Sequence, residues 1–380
     1  MIYLDNAATS FPKPRRVWEE QARCMRFYCG NPGRGSHRLA MQSAQKLYEC
    51  REELASFLGS HHPENVIFTM NTTAAINMAV KGLLRRGDHV LISDLEHNAV
   101  WRPVCKLVRE GKISYCIFPS FALSHERSSM RICQAIEELI RPNTRMLICT
   151  HASNICSMTM PIAEIGALCR RHGIIFVVDG AQSAGHLPIN MEEMQIDALC
   201  LPGHKGLMGV QGSGALLLGE DVYADTLLEG GSGLNSLDEA MPEDSPERYE
   251  AGTLPTPAIA GLCEGIRFLK EVGIDTVDKR ENEISELIKD RLMGVGGITV
   301  SVPDIKGGIV LFHSSRIPAD VFGAELDRRG ICVRSGFHCT ALGHRTLETP
   351  ANGAVRVSVG YFNKPSDADA LWKAVKEILI

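Results

Sequence analysis

Charge of one sign is what this sequence has little of. Among 380 residues, 40 Lys and Arg stand against 45 Asp and Glu, a net charge of −5. No basic field therefore argues for nucleic acid. No apolar run approaches the roughly 20 residues that span a bilayer, so no membrane association is expected. The opening MIYLDNAATSFPKP lacks the basic and apolar regions of a secretory leader, and the expected setting is cytoplasmic. The 13 cysteines are odd in number and irregularly spaced, and no C-x-x-C pair occurs among them. Reduced thiols and no metal site follow as expectations. No Walker A pattern is present. GVQGSG (209–214) is not G-x-G-x-x-G and precedes its strand instead of following it, which removes the usual dinucleotide cradle. There is no internal repeat and no low-complexity segment.

What is present is an alternation of short apolar runs and amphipathic stretches. VIFTM (66–70), HVLISD (89–94), ISYCIFP (113–119), RMLICTH (145–151), IIFVVDG (174–180), IDALCLPG (196–203) and GALLLG (214–219) read as strands. In TTAAINMAVKGLLRRG, Ile76, Ala79, Val80, Leu83 and Leu84 fall on one helical face, with Gly87 as the expected stop. PIAEIGALCRRHG (161–173) has Pro at a helix start and Gly at its end. Repeated strand–helix–strand units predict an α/β fold with a mainly parallel sheet between helices. Strands without strict alternation are expected to be buried on both faces. The long Gly/Pro/acidic connection GGSGLNSLDEAMPEDSPERYEAGTLPTP suggests a functional or interfacial loop. Beyond it, helices near 257–272, 278–293 and 366–380 and short strands imply a smaller α+β domain. The expected division is 16–255 for the large domain and 256–380, with 1–15, for the small one.

Ligands in such sheets gather at the C-terminal ends of strands, and the polar residues there are few. Lys205 follows a buried strand; desolvation would make its amine reactive toward carbonyls, or the chain snorkels to the surface. Asp179 ends a strongly apolar run and suits a protonated pyridine nitrogen, or caps the next turn. Thr72 and Thr73 open a helix, where N–H groups bind phosphate or where Asn71 merely caps. His97 could stack on a flat ring or be an ordinary loop histidine. Arg356, alternating with valines, must meet an anion: a substrate carboxylate or a structural partner. Cys339, in RSGFHCTALG, has polar neighbours and an adjacent His338, unlike the cysteines of the apolar runs. A lysine, a buried aspartate, a phosphate cradle, a stacking histidine and an arginine form the set that a pyridoxal phosphate enzyme acting on an amino acid requires.

These stretches carry a resemblance. With YLDNAATSFPKP, NPGRGSHRLA, TTAAIN, EHNA, HASN, VVDGAQSAGH, GHKGLMG, EAGTLPTP, RSGFHC and RVSVGYFN, the sequence resembles the cysteine desulfurase and selenocysteine lyase family. That family lies among the class V aminotransferase-like, fold-type I pyridoxal phosphate enzymes, and the cysteine loop is similar to that of the SufS-like group. The resemblance implies that Lys205 holds pyridoxal 5'-phosphate covalently, Asp179 pairs with its ring nitrogen and Gln182 approaches its phenolic oxygen. It implies that His97 stacks on the ring and that Thr72, Thr73 and His204 bind phosphate. Thr253 would reach in from the neighbouring subunit of a homodimer. Asn154 and Arg356 would hold the carboxylate of L-cysteine or a related amino acid. Cys339 would be the sulfur nucleophile, with His338 a candidate for favouring its thiolate, and the sulfur would pass to an acceptor protein. Selenocysteine lyase or another C–S lyase is the alternative activity; an aminotransferase or a non-catalytic scaffold fits less of the set. Pro202, Ala74, Cys156 and Phe337 depart from the family pattern and leave the substrate and the acceptor open.

Overall fold

The computed structural model describes the chain except Arg34, residues 124–127, Asn235 and the side chain of Ser128. Arg34 of the NPGRGSHRLA stretch and Asn235 of the acidic connection thus lie outside the described residues. Strand β1 (Ile2–Tyr3) and helices α1 (Arg15–Phe27) and α2 (Arg38–Phe57) come first. Then follow β2 (Val66–Thr69), α3 (Thr72–Leu83), β3 (His89–Ser93), α4 (Asn98–Arg109), β4 (Ser114–Phe118) and α5 (Ser128–Leu139). β5 (Thr144–Thr150), α6 (Ile162–His172), β6 (Ile175–Asp179), β7 (Ala198–Pro202) and β8 (Gly214–Leu218) complete the first half. The remainder holds α7 (Thr256–Val272), α8 (Ile274–Met293), β9 (Ile298–Val300), β10 (Ile309–Ser314), α9 (Ala319–Arg328), β11 (Ile331–Cys332), β12 (Arg334–Gly336), α10 (Ala341–Thr346), β13 (Ala354–Ser358) and α11 (Pro365–Leu379).

Seven strands form one sheet in the order β2-β8-β7-β6-β5-β3-β4. β8 runs antiparallel to β2 and β7, and the other neighbours are parallel. Every residue of β2, β3, β7 and β8 is buried, which is why these runs are apolar without alternation. The strand order reverses between β3 and β5, and the crevice beside such a reversal is where α/β sheets place their ligands.

Local chemistry sets the helix ends. Asn71 Oδ1 accepts the Ala74 N–H at 3.0 Å and caps α3. The helix stops at Leu83, short of the expected Gly87. Leu84 turns extended, and the Arg85 N–H is taken by Asp88 Oδ2 at 2.6 Å. Gly87, at φ +95°, serves the resulting turn instead. Gly173, at φ +63°, closes α6 as expected.

A second sheet, β12-β13-β10-β9, is antiparallel, and β1 pairs in parallel with β11. Its core gathers Leu4, Ile284, Ile288, Phe312, Phe322, Val357 and Leu371. Helix α7 begins where the smaller domain was expected to start, yet its buried Ile259, Leu262, Ile266 and Leu269 belong to the core of the large sheet. It packs there against α1 and α2. The change of core occurs within α8, between Val277 and Ile284. Among the described residues no helix is long and apolar enough to cross a membrane.

Candidate active site

The ends of β2, β3, β5, β6 and β7 lie along one edge of the large sheet. The segments leaving them line a single cavity with Thr72, Thr73, His97, Asn154, Asp179, Gln182, His204 and Lys205. Eight of the expected residues thus meet in one place.

Lys205 sits in the turn after β7. Burial lowers its ammonium pKa from 10.5 to about 8, against the attraction of Asp179; Arg356 and Arg334 push it the same way as burial. A substantial neutral fraction, and so a nucleophilic amine, exists near neutral pH. Asp179 is the last residue of β6 and almost wholly buried. Burial raises its pKa, while the Ala181 N–H donated to Oδ1 at 3.0 Å and the charge of Lys205 oppose the rise.

His97 caps α4: its Nδ1 accepts the Ala99 N–H at 3.0 Å. Burial, then Lys205 and neighbouring arginines, lower its pKa to about 4. The ring is neutral with its proton on Nε2, which suits a stacking surface better than a proton carrier. Thr72 and Thr73 open α3; Asn71 takes the Ala74 N–H, and the N–H groups of the two threonines have no partner within the helix. His204 adds a buried Nδ1 with no hydrogen-bond partner among the described residues. Gln182 donates from Nε2 to the Ala7 carbonyl at 3.0 Å.

Arg356, Thr253 and Cys339 stand outside this cavity. Arg356 is 1 % exposed and is paired: Nη2 meets Asp5 Oδ1 at 2.8 Å and Nη1 donates to the Asn154 carbonyl at 3.0 Å. The structural ion pair is therefore present, and only the buried Nε lacks a partner among the described residues. Thr253 is exposed beside Asn31 and lines a different cavity.

Cys339 lies between β12 and α10, exposed, in a groove it shares with Thr73 and His97, which also line the Lys205 cavity. The Asn98 N–H donates to the Cys339 carbonyl at 2.8 Å. Arg334 Nη2 donates to its sulfur at 3.1 Å. His338, adjacent in sequence, takes no part in this contact. Its Nε2 donates to the Arg334 carbonyl at 3.0 Å, and Nδ1 accepts from His344 Nε2 at 3.1 Å. Burial lowers its pKa to about 3. The neutral, fully engaged ring braces the loop, and Arg334 is the charged group at the thiol.

Two further residues were given no role by the sequence. Lys13 donates to the His204 carbonyl and Ser10 Oγ, both at 2.7 Å, and burial lowers its pKa to about 7. Glu96 is fully buried; its Oε1 accepts from Ser93 Oγ and from the Thr150 N–H. Burial raises its pKa to about 8 despite those bonds. Of the departures, Pro202 lines the cavity, whereas Cys156 is buried in the apolar core. Phe337 is exposed and packs edge-on against His344.

Known proteins resemble this chain over nearly its whole length. The family description "Aminotransferase class-V" matches residues 2–371. A probable cysteine desulfurase of Methanothermobacter thermautotrophicus is 32 % identical, over 99 % of this chain and 94 % of its own. A cysteine desulfurase of Haloferax volcanii is 30 % identical, over 99 % and 88 %. The apo structure of a cysteine desulfurase from Thermococcus onnurineus superposes with a TM-score of 0.89 at 28 % identity, covering 99 % of this chain and 94 % of that one. The chain belongs to the class-V aminotransferase family, on the large and small sheets expected of a fold-type I enzyme.

Proposed function

We propose that this protein is a pyridoxal phosphate-dependent cysteine desulfurase. It converts L-cysteine to L-alanine and leaves the sulfur on Cys339 as a persulfide for an acceptor protein. The observation that carries this reading is the sharing of Thr73 and His97 between the Lys205 cavity and the groove of Cys339. An aminotransferase needs the cavity alone and has no use for an exposed thiol at its mouth. The names of the relatives support the same reading.

The residues fit the cofactor. A lysine of lowered pKa, a buried carboxyl, a neutral ring and the threonines that open α3 surround one cavity, and His204 Nδ1, without a partner among the described residues, offers a donor for phosphate. Pyridoxal phosphate, when bound, supplies a carbonyl that joins amines and a ring that draws electrons from the α-carbon. Lys205 would hold it, Asp179 would keep the proton on its ring nitrogen, Gln182 would face its phenolic oxygen and His97 would cover its ring. Thr72, Thr73 and His204 would hold the phosphate, with Thr253 supplied by the second subunit of a homodimer. Asn154 and Arg356 would orient the substrate carboxylate, the latter through Nε or by exchanging Asp5. Because its pKa lies near 8, the Lys205 amine can take a proton from the α-carbon and return one during the reaction. The Cys339 thiolate attacks the substrate sulfur. A sulfur–sulfur bond forms as the carbon–sulfur bond breaks, and the released β-carbon is protonated to the methyl group of alanine. An acceptor thiolate then attacks the outer sulfur and frees Cys339. The cytoplasmic setting belongs to this proposal, as does a division of the chain into two domains meeting at α8.

The test is cofactor content and product together. The purified protein should carry pyridoxal phosphate, visible by its absorbance, and form alanine from L-cysteine, both lost in Lys205→Ala. A colourless protein that does not take up the cofactor contradicts the reading. Alanine-forming activity that survives Cys339→Ser with L-selenocysteine but not with L-cysteine redirects it to selenocysteine lyase.

A further inference from the structure

The turn that carries Lys205 is held from outside itself. Gly203 and Gly206 flank His204 and Lys205. A Cβ at Gly203 would come within 2.2 Å of Ser213 Oγ, and one at Gly206 within 2.2 Å of the Ala184 carbonyl oxygen. These positions therefore bring no side chain that could fix the turn. Segment 9–13, between β1 and α1, takes that place. The His204 carbonyl accepts the Ser10 N–H at 3.1 Å, Thr9 Oγ1 at 3.0 Å and Lys13 Nζ at 2.7 Å. Lys13 Nζ also donates to Ser10 Oγ at 2.7 Å, and Ser10 Oγ donates to the Lys205 carbonyl at 2.8 Å. One amino group thus reaches the carbonyl before Lys205 directly and the carbonyl after it through a hydroxyl. Lys13 is half-buried, and no carboxylate pairs with it among the described residues. Burial lowers its pKa to about 7. Desolvating a cation without a counterion is costly, and the partners Lys13 meets instead are these two. Both its protonation states supply two N–H donors, and the charged state makes the stronger bonds.

The geometry points to Lys13 as a positioning residue for Lys205: with Ser10 it pins the two carbonyls on either side of the Lys205 backbone and so holds the Lys205 amine in its cavity. The inference rests on the reading of Lys205 as the amine that holds the cofactor. Lys13 is not among the residues that line the Lys205 cavity, so it acts through the backbone of the turn and touches neither cofactor nor substrate. Ser10 is the middle member of the chain from Lys13 to the Lys205 carbonyl, and its own hold depends on Lys13, because a hydroxyl that accepts a hydrogen bond donates a stronger one.

The test compares the parent with Lys13→Met, Lys13→Arg, Ser10→Ala and the double variant Ser10→Ala/Lys13→Met. Two quantities are read: the rate at which cofactor-free protein takes up pyridoxal phosphate at about pH 9, where the Lys205 amine is mostly neutral, and the visible circular dichroism per bound cofactor, which reports how rigidly the site holds it. Lys13→Met should slow uptake about fivefold, the order of one lost hydrogen bond, and weaken the dichroism. Lys13→Arg, which keeps the charge and the donors, should recover part of both. Ser10→Ala should act in the same direction, and the loss in the double variant should be smaller than the product of the two single losses, because the two residues form one chain. If Lys13→Met does not fold, as judged by thermal melting, Lys13→Arg and Ser10→Ala carry the test. Single variants that match the parent in uptake and dichroism, or losses that multiply fully in the double variant, overturn the inference while leaving the cofactor reading in place. A parent that takes up no pyridoxal phosphate overturns both.

Discussion

Arg334 Nη2 donates to the sulfur of Cys339 across 3.1 Å. The contact exists because His338 and Cys339 both adopt positive φ, +50° and +57°, which folds the loop back on strand β12. A guanidinium is permanently charged and favours an anionic partner over a neutral one. Arg334→Ala should therefore slow alkylation of Cys339 by iodoacetamide by about tenfold, read on the Cys339 peptide by mass spectrometry. Arg334→Lys should recover part of the rate, and His338→Gln, if folded, should change it less than Arg334→Ala. An unchanged rate in Arg334→Ala would remove Arg334 from this role.

Lys205 should titrate near pH 8. In cofactor-free protein, uptake of pyridoxal phosphate requires the neutral amine, so its rate should rise with pH and level off above about 8. The Asp179 carboxylate stabilises the ammonium form and holds this pKa up. Asp179→Asn should accordingly move the midpoint downward. A midpoint near the ordinary lysine value would contradict the desolvated setting of Lys205.

Glu96 should make stability fall with rising pH. Its folded pKa of about 8 lies above the ordinary 4.5 because the side chain is buried. The folded state therefore holds a proton that the unfolded chain releases, and the benefit is complete below pH 4.5 and lost as pH passes through 8. Glu96→Gln mimics the protonated form. Urea unfolding should find the variant level with the parent near pH 5 and a few kcal/mol more stable near pH 8. A pH-independent difference would contradict this account.

Asp5 and Arg356 join the N-terminal segment to the small sheet across 351 positions of sequence. The arginine side chain is 1 % exposed. Asp5→Ala leaves its charge buried without a counterion, and such losses cost about 3–5 kcal/mol. Equilibrium unfolding should show a loss of that order, and Asp5→Glu should recover part of it. A loss below about 1 kcal/mol would mean that Arg356 finds other partners.

What could be read from the sequence followed from periodicity and position. β5 to β8 are legible because both faces are covered and the runs are simply apolar. Lys205, Asp179 and His97 are legible because a charge or ring at the end of such a run needs a reason. The inward face of α2 is harder to read, since Ser43, Lys46 and Arg51 are buried on it; Arg51 is satisfied by Glu250, 199 residues away. Partners at that distance leave no local signal, and the same holds for Asp5 with Arg356 and Lys13 with His204. His338 shows the reverse error. Adjacency in sequence suggested contact with Cys339, but the positive φ values send the two side chains to different partners.

The central claim is that Cys339 receives sulfur from an amino acid held beside Lys205. Intact-mass analysis after a single turnover with L-cysteine, paired with quantification of alanine, tests it most directly. The account predicts one added sulfur atom per chain, mapped to the Cys339 peptide, and one alanine released. In Cys339→Ser both should be absent, with activity down by on the order of 10³-fold. Alanine formed equally by both proteins, or sulfur found on another cysteine, would contradict it.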